Sequence, residues 1–65
     1  MKHKAKLGLK FGYGGTYHKV IKVDDGHFDE FDNIVITEID YGRRTIWSKG
    51  GLEVYLNTCP KAIIT

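Results

Sequence analysis

Apolar and polar positions alternate from Lys6 to Tyr13, with Leu7, Leu9, Phe11 and Tyr13 on one face and Lys6, Gly8, Lys10 and Gly12 on the other. Period two predicts a strand with one buried side. Gly14-Gly15 is a hairpin-type turn signal. Glycine this frequent in a strand marks bending or close backbone approach. Thr16 to Val23 is the second predicted strand, with Val20, Ile21 and Val23 as its apolar content. Asp24-Asp25-Gly26 then interrupts it. Two geometries fit: a tight Asp-Gly hairpin turn, or a bulge bending one long strand through to Phe31.

Asn33 to Tyr41 is the strongest strand pattern, because Ile34, Val35 and Ile36 are β-branched. Tyr41-Gly42-Arg43-Arg44 predicts a turn, and Thr45 to Ser48 a short strand stopped by Lys49-Gly50-Gly51. Leu52 to Leu56 alternates again, which places Leu52, Val54 and Leu56 inward on a further strand. Asn57 and Thr58 begin a loop before Pro60, and residues 61–65 suit a short edge strand. No window of about 11 residues has a convincing helical period. The expected fold is all-β: one domain over residues 1–65, a small SH3-like or OB-like barrel of five to six short antiparallel strands.

Composition narrows the function classes. A core of 65 residues is small, and small folds gain from a staple or a partner. Cys59 is the only cysteine, so an internal disulfide and multi-cysteine zinc patterns are excluded. It suits a small buried hydrophobe in a reducing, cytoplasmic setting. No apolar run of about 18 residues predicts a membrane span, and no apolar segment follows the charged N-terminus as in a signal peptide.

Charge is uneven although the net value is only +2. Residues 1–23 hold six lysines and no acid, and residues 24–42 hold seven acids and no Lys or Arg. Residues 43–65 hold four basic residues and one acid, Glu53. These blocks can neutralise each other across neighbouring strands or form opposed faces. An antiparallel meander, which sets the first block beside the second, favours partial pairing.

Basic and aromatic residues interleave twice, in Lys10-Phe11-Gly12-Tyr13 with Tyr17-His18-Lys19, and in Arg43-Arg44-Thr45-Ile46-Trp47. Single-stranded nucleic-acid sites need this combination. Cations track phosphates while exposed rings stack on bases, at about 1–3 kcal/mol per base. Phe11 and Trp47 are natural core residues. Tyr13 and Tyr17, flanking the Gly-Gly turn, are the rings expected at the surface. The candidate nucleic-acid contacts are therefore Lys6, Lys10, Lys19, Arg43, Arg44 and Lys49 for phosphate, and Tyr13 and Tyr17 for bases.

The acidic block Asp24, Asp25, Asp29, Glu30 and Asp32 suits a solvated turn. It also supports the alternative class, a protein-binding module or inhibitor of the kind viruses and mobile elements encode, meeting a basic surface of a host protein. The calcium-loop pattern is absent. His27 lies between acids, but neither His3 nor His18 has a partnering spacing, so no metal and no cofactor is expected. Catalysis has little support: Thr45 and Ser48 have no nucleophile-activating arrangement around them, and Gly12-Tyr13-Gly14-Gly15 leads into a strand where a phosphate loop would open a helix. The expectation is a non-enzymatic binding or regulatory protein. Its partner is single-stranded nucleic acid or a host protein, with no membrane association. Homo-oligomerisation through an edge strand is a further expectation.

Gly26, Phe28, Phe31, Asp32, Val35 and Ile36 fall in the places of a known signature: Gly, any, apolar, any, any, Phe, Asp, two positions and an apolar run. This segment resembles the first signature of the Sm and Sm-like (Hfq) family. Ile46-Trp47-Ser48-Lys49-Gly50 is loosely similar to the second, through Trp47 and Lys49. The resemblance implies a bent SH3-like barrel assembled into rings on single-stranded RNA, with Asn33, Ile34 and Lys49 near the RNA-facing pore.

Overall fold

The structure, a computed structural model, describes residues 3–25 and 33–64. Four strands form one antiparallel sheet in chain order: β1 (Lys10–Tyr13), β2 (Thr16–Asp25), β3 (Asn33–Glu38) and β4 (Arg44–Ser48). One helix, α1 (Lys49–Thr58), follows directly. Gly14 and Gly15, at φ 57° and 81°, make the β1–β2 turn. A tight hairpin needs two consecutive left-handed residues, so the glycine pair is a local requirement there.

The register sorts side chains onto two faces. Phe11 pairs with His18, and beyond a shift between Val20 and Lys22 the partners run Val23 to Val35 to Trp47. These residues face inward with Val20 and Thr37. Lys10 pairs with Lys19, Lys19 with Glu38, and Glu38 with Arg44, which forms one charged row across the outer face. Glu38, from the acidic block, thus stands between Lys19 and Arg44 in the row.

Helix α1 closes the inner face. Ser48 caps it: its Oγ accepts from Gly51 N at 3.1 Å, which satisfies an otherwise unpaired first-turn donor. Leu52 and Leu56, one turn apart, are buried, with Tyr55 packed beside them. The core consists of Ala5, Leu9, Phe11, Val20, Val35, Leu52 and Leu56. The N-terminal segment is laced onto the helix. Asn57 Oδ1 accepts from His3 N at 3.0 Å, its Nδ2 donates to His3 O at 2.8 Å, and Glu53 Oε2 accepts from Ala5 N at 2.9 Å.

The fold is mostly β, as expected, and differs in specific places. Residues 52–56 are helical, not a strand, and Val54 is exposed rather than inward. Leu52 and Leu56 satisfy both periods, and the helix wins because Tyr55 and Leu56 then share the buried side with Leu52. β4 stops at Ser48, as expected, and Lys49-Gly50-Gly51 continues as the first turn of α1. The described residues accordingly form four strands in an open sheet with a helix on one face, rather than a barrel of five to six strands.

The first strand begins at Lys10, so Lys6 to Leu9 lies outside it and Leu7 is exposed. Cys59 is exposed, not buried, because α1 ends there with its amide bonded to Tyr55 O. Residues 60–62 form a 3₁₀ turn, after which Ile63 bridges Phe11 and Ile64 N donates to Lys10 O, a trace of the expected edge strand. Asp24 and Asp25 remain in β2, while Gly26 and the choice between turn and bulge lie outside the described residues. Among the described residues no helix is long and apolar enough to cross a membrane.

Candidate nucleic-acid interface

Outer-face parity decides which candidates meet. Lys10 and Lys19 are direct cross-strand partners, and Tyr17 lies two residues along β2 on the same face, opposite Gly12. Glycine leaves that side of Tyr17 bare: a Cβ built on Gly12 would meet only the ring edge, at 4.0 Å. Tyr17 is accordingly 73% exposed. Lys10, Tyr17, His18, Lys19 and Ile64 line an open groove of about 370 Å³. Ile64 enters it because the C-terminal segment is held against β1 by the bond to Lys10 O.

The lysine pair is locally unfavourable. Like charges directly opposite on neighbouring strands repel. An anion seated between the two ammonium groups removes that repulsion. The groove thus presents two cations, an exposed ring and an apolar wall, a set suited to a phosphate with an attached planar group.

The remaining candidates are distributed otherwise. Arg44 is exposed at the far end of the same row, separated from Lys19 by Glu38. Arg43 is exposed at the end of the β3–β4 turn. Lys6 lies before β1, away from the row, and Lys49 is half-buried and engaged at the start of α1. Tyr13 is parted from Tyr17. It is 49% exposed, as expected of a surface ring, but on the face opposite Tyr17, edge-on to Trp47 at 5.1 Å and to Tyr55 at 5.2 Å. Of the acidic set, Asp24 is half-buried and engaged, Asp25 ends β2, and Asp29, Glu30 and Asp32 lie outside the described residues. Among the described residues no group of His, Cys, Asp and Glu is arranged to hold a metal.

Beneath the groove lies a polar network that the sequence did not announce. His18 is buried and stacks on Phe11, with ring centroids 5.2 Å apart and planes at 8°. Thr37 Oγ1, fully buried, lies 2.8 Å from His18 Nδ1 and accepts from Trp47 Nε1 at 2.9 Å. The Thr37 hydroxyl, with one donor hydrogen and two acceptor lone pairs, thus joins the Trp47 indole and the His18 ring in one buried network. Burial lowers the His18 pKa below its ordinary 6.5, since the charged ring would lose its hydration. Tyr55 Oη donates to Gly12 O at 2.7 Å and ties the helix to β1. These bonds hold the Phe11–His18 rung rigid, and that rung carries Tyr17 and Lys19 on either side of His18.

Fold and site together define a small antiparallel sheet with a helix on one face and the Lys10–Tyr17–Lys19 groove on the other. Comparison with family models, with curated proteins and with solved structures found no match to this chain.

Proposed function

We propose that this protein binds single-stranded nucleic acid on the open face of its sheet and acts by binding rather than by catalysis. The observation that carries the reading is the cross-strand pair Lys10–Lys19 beside the exposed Tyr17 in one groove. In this arrangement Tyr17 stacks on a base, and Lys10 and Lys19 hold the adjoining phosphate. Arg44 extends the same row toward the next phosphates, while Glu38 limits the pull on any polyanion. Ile64 covers the side of the groove away from β2. Stacking requires an unpaired base, so single strands bind in preference to duplex.

Fluorescence anisotropy with labelled single-stranded RNA, single-stranded DNA and duplex tests this at low and at physiological salt. Tyr17→Ala should weaken single-strand binding by about 1–3 kcal/mol, roughly 5- to 150-fold. Lys10→Ala or Lys19→Ala should reduce the slope of log affinity against log salt by about 0.7, the value for one lost phosphate contact on a single strand. No binding at low salt, or an unchanged affinity in Tyr17→Ala, defeats the reading.

A further inference from the structure

Among the described residues, Tyr41 is the only non-glycine residue with left-handed backbone, at φ 64° and ψ 25°. Gly42 follows at φ 73°. The β3–β4 turn therefore requires two consecutive left-handed residues, and Asn, Asp or Gly suits the first of them. A tyrosine there crowds its Cβ against the backbone and sacrifices stability relative to glycine. Its ring recovers nothing by packing, since Tyr41 is 97% exposed. A large ring that is both strained and in water has no explanation in the fold.

Its location supplies one. Tyr13 pairs with Thr16, Lys19 with Glu38, and Glu38 with Arg44, so the β1–β2 and β3–β4 turns lie at the same end of the sheet. Tyr17 and Tyr41 both sit at that end. Strands lie about 4.8 Å apart, so the β3–β4 turn is one to two spacings from β2, about 5–10 Å. Arg43 and Arg44 follow Tyr41 directly and are exposed. The turn repeats what the groove presents, an exposed ring beside cations.

We propose that Tyr41 is a second stacking position for single-stranded nucleic acid, with Arg43 and Arg44 on the adjoining phosphates. One strand then crosses the end of the sheet from the Lys10–Tyr17–Lys19 groove to the β3–β4 turn. This rests on the reading of the groove given above. The turn is closed by Ile39 N donating to Arg43 O at 2.7 Å. That closure fixes the backbone from which the Tyr41 ring projects before ligand arrives, and so reduces the cost of ordering the turn on binding.

The test pairs thermal melting with anisotropy on single-stranded oligonucleotides of about 3 and about 12 nucleotides, lengths below and within the range one small domain covers. Tyr41→Gly should melt a few degrees higher, because glycine relieves the left-handed strain. It should also bind the longer oligonucleotide at least about fivefold more weakly, the lower bound for one lost stack. Tyr41→Phe should bind like the unaltered protein, and Tyr17→Ala should weaken both lengths. Unchanged binding of Tyr41→Gly, with Tyr17→Ala impaired, overturns this inference and leaves the groove standing. Weaker binding together with a lower melting temperature in Tyr41→Gly assigns the residue a structural role and also overturns it. An unaltered protein that binds neither oligonucleotide removes the groove reading and this one together.

Discussion

Thr37→Val replaces a fully buried hydroxyl with a methyl of nearly the same size, so the packing volume is kept and only hydrogen bonding changes. The variant leaves the Trp47 indole N–H and His18 Nδ1 without the partner they hold at 2.9 and 2.8 Å. An unsatisfied buried polar group costs about 1–3 kcal/mol. Trp47 is only partly buried and recovers some hydration, so the sum is about 2–4 kcal/mol. A chain of 65 residues has about 3–10 kcal/mol in total at the usual stability per residue. The loss is therefore a large part of the whole. Thr37→Ser keeps the hydroxyl and loses one buried methyl, about 1 kcal/mol. The expected order of stability is Thr, then Ser, then Val, whereas a purely apolar site would put Val first and Ser last. Urea denaturation followed by fluorescence of the single Trp47 measures this directly, with an unchanged slope showing that the unfolding reaction is the same. A valine variant within about 0.5 kcal/mol of the unaltered protein, or more stable than the serine variant, refutes the network.

His18 makes stability depend on pH. Its folded pKa lies below the ordinary 6.5 because of burial, so the unfolded chain binds the proton more readily. This contribution is complete above about pH 6.5 and declines as pH falls through 6.5 toward the lower folded value. Urea midpoints should drop between about pH 8 and 5.5, and His18→Phe should shrink that difference. The two glycines of the first turn of α1 should respond oppositely to alanine. At Gly50 an added Cβ meets open space, so Gly50→Ala should stabilise by about 0.5–1 kcal/mol. At Gly51 it would lie 2.6 Å from the capping Ser48 Oγ, so Gly51→Ala should lose the cap, worth about 1 kcal/mol, and with it any helical gain. Equal melting temperatures for the two alanine variants would contradict the cap geometry.

The strands were legible from local pattern. Alternation through Phe11 and Tyr13, the Gly14-Gly15 turn and the β-branched run from Ile34 predict elements that are present, because period-two burial and left-handed turn residues are properties of a few neighbouring residues. The exposure of Tyr17 and the burial of Phe11 were foreseeable on the same grounds. The helix was not. Five residues from Leu52 to Leu56 support either period, and an isolated helix this short does not form on propensity alone. Burial of Leu52, Tyr55 and Leu56 against the inner face of the sheet, with the Ser48 cap, decides it.

The site follows the same division. Lys10, Tyr17 and Lys19 could each be named from the sequence, but only strand register sets the two lysines opposite one another and turns Tyr13 away from Tyr17. Thr37 and Tyr41 carried no signal at all. A threonine in a strand becomes the hub of a buried network only when His18 and Trp47, distant in sequence, converge on it. A tyrosine becomes a left-handed outlier only when the strands on both sides fix how the chain must turn between them. Residue chemistry and local period are carried by the chain itself, while partnership and strain are relations between distant segments and come into being only when the sheet closes on its helix.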